Sequence, residues 1–406
     1  MDPVAGAALS SLTRDDRTRI LATLIRVTGD IEFAQDALQD AILRALQTWQ
    51  RVGVPDNPRA WVTVAARRCA IDRLRREAQR DDRELAAMQL QGQEDWQPPD
   101  SVVRDDLLRL VFTCAHPSLS AEARVALSLR TLGGLSTAEV ARALLVPEAT
   151  MAKRLTRTKQ KIAKAHIPYR VPTDAELPDR LPTVLATVYL IFNEGYAASS
   201  GPSAVRAELL DEAIRLARLL HELMPDEASV LGLLALLLLQ DSRRSTRVDP
   251  TTGALVLLAD QQRADWDQRK IVEGLRLVGK ALQRSKDRPD PYVVQAAIAA
   301  CHALAPDYAA TDWTAIVSWY DVLLTVIDTP VVRLNRAAAL AERDGPLVGL
   351  AEVDSIDGLA DYPYWHASRG DLLDRLERPE EADAAYRQAL ALGLNRSHGD
   401  HLRGRH

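Results

Sequence analysis

Residues 148–165, "EATMAKRLTRTKQKIAKA", are rich in positive charge. Six cationic side chains crowd this predicted helix: Lys153, Arg154, Arg157, Lys159, Lys161 and Lys164. Such charge neutralises DNA phosphates, and early residues of a recognition helix reach base edges in the major groove. The candidates for DNA contact are Glu148, Thr150, Lys153, Arg154, Arg157 and Lys159. The alternative is a solvated basic face on a structural helix.

A second basic segment, "NPRAWVTVAARRCAIDRLRRE" at residues 57–77, is predicted to be a helix without a clean polar side. Helical spacing groups four apolar side chains into one stripe: Trp61, Val64, Ala65 and Ile71. Arginines occupy the rest of the circumference, whereas an ordinary surface helix keeps its charge on one side. Arginines around an aromatic ring suit a surface that holds a nucleic-acid backbone and stacks unpaired bases. A core tryptophan with solvated arginines is the alternative.

The segment "AQDALQDAILRAL", residues 34–46, places Asp36, Gln39 and Asp40 together at helical spacing. A DNA-binding helix does not need such an acidic face. A protein partner with a basic surface could bind to it.

The C-terminal half shows no catalytic constellation, so no enzyme activity and no cofactor are expected. "HELMPDE" lacks the second histidine of a metal-binding helix, and there is no glycine-rich phosphate loop. Cys69, Cys114 and Cys301 are widely spaced, which suggests neither a disulfide framework nor a metal site. In "NEGY", the polar side chains either line a groove or form a satisfied network between helices; they are Asn193, Glu194 and Tyr196.

These segments need helices to position them, and the composition of the 406-residue chain favours helices throughout. Aromatic residues make up only 5%, and Ala and Leu dominate, so we expect an all-α protein. "SAEARVALSLRTLGG" ends on paired glycines, and Ser136 with Glu139 forms the capping-box pattern of the next helix. Two short helices with a tight turn, the second of them basic, predict a helix-turn-helix.

The net charge of −5 is unevenly distributed. Residues 101–170 carry about +7, and residues after 170 carry about −10. The polar stretch 79–100, "QRDDRELAAMQLQGQEDWQPPD", predicts a linker. We therefore expect domains at 1–78 and 101–170, separated by this linker, and a helical domain at 171–406.

The C-terminal half contains a partial repeat. The spacing of a tetratricopeptide unit is matched by Gly370, Leu373, Ala382, Tyr386 and Ala389. A second partial match consists of Ala213, Ala217, Leu220 and Pro225. The polar stretch 243–267 interrupts this pattern, and we expect five of its residues to hold a loop in place: Arg244, Asp260, Gln261, Arg263 and Trp266. The sequence thus predicts an irregular tetratricopeptide-like solenoid.

Neither a signal peptide nor a membrane span is expected. The N-terminus lacks a basic region before an apolar run. The longest apolar run, residues 230–239, is too short for a bilayer and predicts a buried core helix. We therefore expect a cytoplasmic protein.

Residues 10–170 resemble bacterial RNA polymerase sigma factors of the extracytoplasmic-function group. The resemblance rests on "AQDALQDAILRAL", "NPRAWVTVAARRCAIDRLRR" and "STAEVARALLVPEATMAKRLTRTKQKI", in this order and with a linker between the second and third. "VPEATMAKRL" followed by "IFNEGY" and a helical C-terminal half is similar to the subgroup with a tetratricopeptide-like extension. The chain departs from many relatives at Met151-Ala152 and at Arg68.

The resemblance implies a role for each segment. Asp36, Gln39 and Asp40 would bind the β′ clamp of core RNA polymerase, and the second sigma domain would contact the β flap. The melted −10 promoter element would be captured by Asn57, Trp61, Arg67, Arg68, Asp72, Arg75 and Arg76. The helix from residue 148 would read the −35 element as duplex DNA.

A sigma factor with an appended regulatory domain is therefore the expected function, with promoter DNA and core polymerase as partners. The solenoid is expected to bind a regulatory protein or peptide, because solenoids present a concave face to such ligands. A helix-turn-helix repressor with a protein-binding solenoid is the alternative, but it leaves the acidic face and the arginine-rich helix unexplained. An enzyme with a C-terminal pocket would need clustered titratable groups.

Overall fold

The computed structural model describes residues 9, 12, 14–78, 100–144, 146–165, 167, 169–173, 175–196, 205–249, 251, 256–285 and 289–392. For residues 14, 15, 74–78 and 100–105 it describes the backbone alone. The predicted linker lies outside the described residues, apart from Asp100 at its end. Within the described ranges the regular structure is helical, which confirms the predicted all-α fold. The chain divides into two compact units, Met1–Val188 and Tyr189–His406.

Among the described residues up to position 78, three helices of the N-terminal unit pack on one another: α1 (Arg14–Thr28), α2 (Ile31–Val52) and α3 (Pro58–Ala78). Asp30 caps α2, because its side chain accepts from the backbone N–H of Glu32 at 2.7 Å and of Phe33 at 2.9 Å. Gly53 ends α2 with a φ of 92°, a conformation that favours glycine. These local signals fix where the helices begin and end.

The face that α3 buries differs from the predicted stripe. Four small side chains, each at most 2% exposed, form the buried face: Val62, Ala66, Cys69 and Ala70. The predicted stripe of Trp61, Val64, Ala65 and Ile71 is only half-buried, so that prediction is wrong. Small residues allow α3 to pack closely against α2, and the bulky Trp61 lies at the edge, 5.4 Å from the ring of Trp49.

In the part of this unit that the structure describes after residue 99, four helices precede residue 165: α4 (Asp100–Cys114), α5 (Ala121–Thr131), α6 (Thr137–Ala143) and α7 (Glu148–Lys164). The predicted capping box of α6 is confirmed: Ser136 N–H donates to Glu139 Oε2 at 2.6 Å, and Glu139 N–H donates to Ser136 Oγ at 3.1 Å. Met151 and Leu155 are buried and anchor α7. Helices α6 and α7 with their short turn form the predicted helix-turn-helix.

The helix α8 (Leu177–Tyr196) starts in the first unit and ends in the second. The C-terminal unit continues with nine helices in the described residues: α9 (Ala207–Leu223), α10 (Ala228–Asp241), α11 (Gln268–Arg284), α12 (Pro291–Leu304), α13 (Trp313–Val326), α14 (Pro330–Asp344), α15 (Pro346–Asp354), α16 (Pro363–Arg375) and α17 (Pro379–Ala391). Helix α10 is buried along nearly its whole length, as its apolar run predicts. No described helix combines the length and the apolar character needed to cross a bilayer.

Helices α16 and α17 bring the predicted repeat positions into one core. Leu373, Ala382 and Ala389 are fully buried there. A Cβ atom on Gly370 would lie only 2.5 Å from Cε1 of Tyr386, so the glycine permits the close approach of the two helices. The assignment to the tetratricopeptide class stays a prediction, although these side chains pack as such a unit requires.

Four of the five residues expected to hold the polar insertion after α10 are buried or bonded there, whereas the side chain of Asp260 is exposed. Arg263 is buried and donates from Nη1 to the carbonyls of His302 and Ala305, at 2.7 and 3.1 Å. Gln261 Nε2 donates to the Val256 carbonyl at 3.0 Å, and Trp266 is buried. Backbone carbonyls thus receive much of the side-chain bonding in this loop, which is how a non-helical segment satisfies its polar groups.

Candidate nucleic-acid and protein interface

The predicted acidic face lies on the outer side of α2 and is paired with one arginine of α3. Arg73 Nη2 lies 2.8 Å from Asp36 Oδ2, and Arg73 Nη1 lies 3.9 Å from Asp40 Oδ2. Its guanidinium also lies over the Phe33 ring, 5.5 Å from the centroid. Because both ion pairs are partly exposed, each contributes no more than about 1 kcal/mol. A basic partner can therefore replace Arg73 at little cost.

Gln39 is exposed on the same face, so the structure brings the three predicted residues together. Arg73 belongs to this cluster but is absent from the predicted site. The sequence shows its charge, yet its position relative to Asp36 depends on how α3 packs against α2, which the wrongly predicted stripe obscured.

The predicted −10 residues divide into structural and exposed groups. Asn57 caps α3, because its Oδ1 accepts from the Ala60 N–H at 3.0 Å. Trp61 packs edge-on against the buried Trp49. Arg67 is half-buried, and this burial, with the nearby charge of Arg26, lowers its pKa from the ordinary value.

Arg68 is exposed, and Asp72 is half-buried on the same helix. The side chains of Arg75 and Arg76 lie outside the described residues. An exposed arginine can hold phosphate and a partly exposed indole can stack a base, and α3 carries both groups, seven positions apart.

Helix α7 presents its predicted DNA-reading residues on two different sides. Four are exposed and available to a ligand: Glu148, Thr150, Lys153 and Arg157. Arg154 is half-buried. Lys159 instead donates from Nζ to Gln35 Oε1 on α2 at 2.8 Å, and burial lowers the pKa of Lys159. The structure therefore separates Lys159 from the other five.

The "NEGY" residues form a hydrogen-bonded network within the C-terminal unit. Tyr196 Oη donates to Gln240 Oε1 at 2.9 Å and accepts from Arg243 Nε at 2.8 Å. The Arg247 guanidinium lies 3.4 Å from the Tyr196 ring centroid and donates to the Tyr196 carbonyl at 2.6 Å. This arrangement corresponds to the second of the two interpretations, a satisfied network between helices.

The other two residues of this group also have partners. Glu194 Oε1 pairs with Arg206 Nη1 at 2.8 Å. Burial raises the pKa of the Tyr189 phenol, and a hydrogen bond with Asn193 partly opposes this shift. The arginines that hold Tyr196 lie some fifty positions further along the chain, so sequence spacing gave no signal for them.

The described residues contain no cluster of three or more His, Cys, Asp and Glu side chains that could hold a metal ion. Cys69, Cys114 and Cys301 are free thiols. Burial raises the pKa of the Cys114 thiol to about 12, so it remains protonated at neutral pH.

Comparison with protein families divides the chain in agreement with this geometry. Residues 12–80 match the family described as Sigma-70 region 2, and residues 109–162 match Sigma-70 region 4. Residues 180–282 match a family of unknown function (DUF6596). The first match covers the acidic face and α3, and the second covers the helix-turn-helix.

Individual relatives cover either the whole chain or its N-terminal part. "Uncharacterized protein R00370" of Rhizobium meliloti (strain 1021) is 42% identical over 401 residues, covering 95% of this chain and 92% of the relative. The ECF RNA polymerase sigma factor SigL of Mycobacterium tuberculosis (strain ATCC 25618 / H37Rv) is 33% identical over 153 residues, covering 37% of this chain and 85% of SigL. The ECF RNA polymerase sigma factor SigK of Mycobacterium sp. (strain KMS) is 31% identical over 157 residues, covering 36% of this chain and 77% of SigK. The chain therefore belongs to the extracytoplasmic-function family of RNA polymerase sigma factors, and it has a helical C-terminal extension.

Proposed function

We propose that this sigma factor binds the β′ clamp of core RNA polymerase through the acidic face of α2. The observation that supports it best is the cluster of Asp36, Gln39 and Asp40, balanced by a single partly exposed arginine. Two carboxylates held so loosely suit a basic protein surface, and charge complementarity of this kind steers association.

The same proposal assigns the promoter contacts. Helix α3 captures the melted −10 strand with Trp61, Arg67 and Arg68, and α7 reads the −35 duplex with its exposed side. Region 4, residues 109–162, also meets the β flap of the polymerase. Exposed cations on α7 support this assignment, because they can approach phosphates without first losing a partner.

Charge reversal tests the polymerase contact. The double variant Asp36→Lys, Asp40→Lys should reduce association with core polymerase at least ten-fold, measured by titration of labelled protein. Arg73→Ala is the matched control, since it breaks the same ion pairs and leaves the carboxylates in place. If Arg73→Ala weakens association as strongly as the double variant, the carboxylates act through the fold and the proposed contact is wrong.

Substitutions on α7 test the −35 contact. Arg154→Ala or Arg157→Ala should cost about 1–3 kcal/mol and relax sequence preference at one base pair, if the side chain meets a base edge. Lys161, which donates to the Ser118 carbonyl, is the comparison. Its alanine variant should lower affinity evenly across sequences and reduce the salt dependence. Equal losses at every sequence for all three variants would exclude base readout by this helix.

We also propose that the C-terminal unit regulates transcription, through a protein or peptide bound to its helices. The match of this part to a family of its own supports a role separate from promoter binding. Run-off transcription with a full-length variant whose C-terminal unit is destabilised, Asp241→Ala, tests it. Activity identical to that of the unaltered protein, at a temperature where this unit is unfolded, would exclude regulation by the unit in vitro.

A helix-turn-helix repressor fits less well than a sigma factor. A repressor accounts for α6 and α7 but has no need of region 2, to which residues 12–80 belong.

A further inference from the structure

Three arginines of the polar insertion and its borders lie close together in the C-terminal unit: Arg243, Arg247 and Arg263. The guanidinium carbons of Arg243 and Arg247 lie 5.6 and 3.4 Å from the centroid of the Tyr196 ring. Arg263 Nη1 donates to the His302 carbonyl at 2.7 Å. After the larger effect of burial, the charges of Arg243 and Arg263 both lower the pKa of His302, so these two arginines are close to the same ring. We call these three residues the arginine cluster.

Among the described residues, the hydrogen-bond partners of the arginine cluster are neutral groups. Arg243 Nε donates to the Tyr196 hydroxyl at 2.8 Å, and Arg247 Nη1 donates to the Tyr196 carbonyl at 2.6 Å. Arg263 donates to two backbone carbonyls and, from Nη2, to Thr311 Oγ1 at 2.9 Å. These bonds satisfy some of the guanidinium N–H groups, but they supply no negative charge to balance the three positive charges.

The charges of the cluster are poorly solvated and repel one another. Arg247 and Arg263 are only 9% and 7% exposed. Burial lowers the pKa of both, and the charge of Arg243 lowers both further. Asp241 and Asp307 oppose these shifts without reversing them, and in the described structure neither carboxylate forms an ion pair with the cluster.

Other buried charges of the same unit are neutralised by opposite charges. Asp241 is held by Arg244 and Lys270, at 2.7 Å in both cases, and the buried Glu212 pairs with Arg215 at 2.7 Å. The arginine cluster departs from this pattern, although two of its three members are buried. Such departures are typical of functional sites, where ligand binding takes precedence over stability.

Three polar atoms at the cluster are buried and have no hydrogen-bond partner among the described residues: Arg263 Nε, His302 Nδ1 and Trp266 Nε1. The Arg263 guanidinium lies 5.3 Å from the centroid of the Trp266 ring. A buried polar atom without a partner costs stability, and a bound ion or ligand is one explanation for such an atom in a folded protein. The cluster is also open to solvent on one side, since Arg243 and His302 are only partly buried.

We propose that the arginine cluster binds a phosphate group, either as free phosphate or as part of a small molecule. Guanidinium groups match the geometry of phosphate oxygens and bind them through two parallel hydrogen bonds. A phosphate monoester carries a charge of about −1.5 to −2 at neutral pH, so it neutralises more of the cluster than one carboxylate does. Tyr196 is a positioning residue, because its hydroxyl holds Arg243 and its carbonyl holds Arg247.

The three arginines lie within residues 180–282, the part that matches the family of unknown function. The inference is independent of the polymerase, promoter and peptide contacts proposed above, since it concerns a different ligand.

A binding role and a purely structural role for Arg243 predict different results for Arg243→Gln. A structural arginine would give a lower melting temperature without phosphate and an unchanged response to phosphate. As a phosphate ligand repelled by its neighbours, Arg243 can be replaced without loss of stability. We therefore expect Arg243→Gln not to lower the melting temperature without phosphate, and to weaken phosphate binding about ten-fold or more, because hydrogen bonds to charged groups are strong.

The test titrates the full-length protein with inorganic phosphate at constant ionic strength, so that general screening by salt does not change. Isothermal titration calorimetry gives the affinity, and thermal unfolding should show a melting temperature that rises with phosphate concentration. Arg336→Gln is the matched control, because Arg336 is also half-buried in this unit but is paired with Asp321 and Glu352. This variant should bind phosphate as the unaltered protein does.

Glycerol 3-phosphate distinguishes the two sources of the phosphate group. Tighter binding of this ester than of inorganic phosphate would assign the cluster to a phosphorylated small molecule, and equal binding would assign it to free phosphate. Either result supports the proposal.

A measurement on the unaltered protein covers the case in which Arg243→Gln does not fold. Phenylglyoxal modifies accessible arginines, and phosphate should slow the modification of Arg243 but not that of Arg336, as followed by mass spectrometry of peptides. The proposal is wrong if neither inorganic phosphate nor glycerol 3-phosphate binds with saturation, or if Arg243→Gln and Arg336→Gln weaken binding equally. Binding of a glutamate-rich peptide in place of phosphate would also overturn it, and would assign the cluster to a protein partner.

Discussion

Asp106 in the N-terminal unit and Asp241 in the C-terminal unit are both carboxylates with fully buried side chains, each held by two cations. Asp106 joins α1, which lies in the region 2 match, to α4, whose last residues lie in the region 4 match. Asp241 is held by Arg244 Nε and Lys270 Nζ, both at 2.7 Å, and joins α10 to the polar insertion and to α11. In both units, a buried carboxylate therefore joins segments that are separate in the sequence.

The two units also differ in how their other charged side chains are paired. Around Asp241, Arg244 also reaches Asp211 at 2.7 Å, and the buried Glu212 is paired with Arg215 at 2.7 Å. In the N-terminal unit, Lys153 and Arg157 remain exposed on α7. Internal pairing suits a unit that keeps one shape, whereas exposed cations suit a unit that exchanges partners.

The largest effect is expected where the C-terminal network is broken. Asp241→Ala leaves Arg244 and Lys270 without their shared buried partner, and should lower the free energy of unfolding of this unit by about 3–5 kcal/mol. Denaturant unfolding followed by circular dichroism measures the loss. Asp226→Ala is the matched control, because Asp226 is 82% exposed in its pair with Arg284 and should cost less than about 1 kcal/mol. Similar losses for the two variants would mean that burial does not set the contribution of these ion pairs to stability.

Acidification should affect two buried sites, His302 and Asp106, in opposite directions. Burial lowers the pKa of His302 to about 4, with help from the charges of Arg243 and Arg263. Between pH 6.5 and about 4 the unfolded chain therefore binds more protons at this site than the folded chain. The C-terminal unit should lose about 3 kcal/mol of stability as the pH falls through this window, and His302→Phe should abolish that part of the loss.

Asp106 has the opposite effect on how stability changes with pH. Burial raises the pKa of Asp106 above its ordinary value, so the folded state binds the extra proton, and this site favours folding more as the pH falls. Unfolding as a function of pH, compared between the unaltered protein and the variants Asp106→Asn and His302→Phe, isolates the contribution of each site. Slopes that neither substitution changes would contradict the assignment.

Helix packing offers a third comparison, within the C-terminal unit. A Cβ on Gly232 of α10 would lie 2.7 Å from the backbone nitrogen of Val293, so Gly232→Ala should destabilise by about 2 kcal/mol through overpacking. Gly279 of α11 has nothing within 4 Å of such an atom, and Gly279→Ala should stabilise by up to about 1 kcal/mol. Thermal unfolding measures the stability change of each variant. Two changes of the same sign would mean that α10 and α12 can move apart.

The smallest expected effect concerns one hydrogen bond in the N-terminal unit. Thr18→Val removes the buried donor to the Leu132 carbonyl while it keeps the side-chain shape, and should cost about 1 kcal/mol. Thr63→Val is the control, since that hydroxyl donates only within α3, to the Arg59 carbonyl. Hydrogen exchange of the α1 backbone amides measures the effects of both variants. No difference between the two would show that this bond does not hold region 4 in place.

Features that depend on neighbouring residues could be predicted from the sequence. The capping box of Ser136 and Glu139 follows from backbone groups within a few positions. The repeat spacing of Gly370 and Tyr386 likewise located a pair that packs. Such signals require no knowledge of how distant helices meet.

Features that depend on distant residues could not be predicted. Asp106 meets Arg26 across 80 positions, and Tyr169 meets Ala22 across 147. The buried face of α3 was predicted wrongly because most of its side chains are small or apolar, so periodicity alone admits more than one register. Arg73 and Lys159 were visible as charges, but their partners were fixed only by the packing of α2 against α3 and α7.

The edge-on pair of Trp49 and Trp61 has a spectroscopic consequence. Two indoles with ring centroids 5.4 Å apart and planes inclined at 67° couple their excited states, which gives a bisignate band in circular dichroism. Trp49 is buried and fixed, whereas Trp61 lies partly exposed at the start of α3. A nucleobase stacked on Trp61 would alter the coupling and, with it, the band. The protein therefore contains an intrinsic chromophore pair for following capture of a DNA strand without any label.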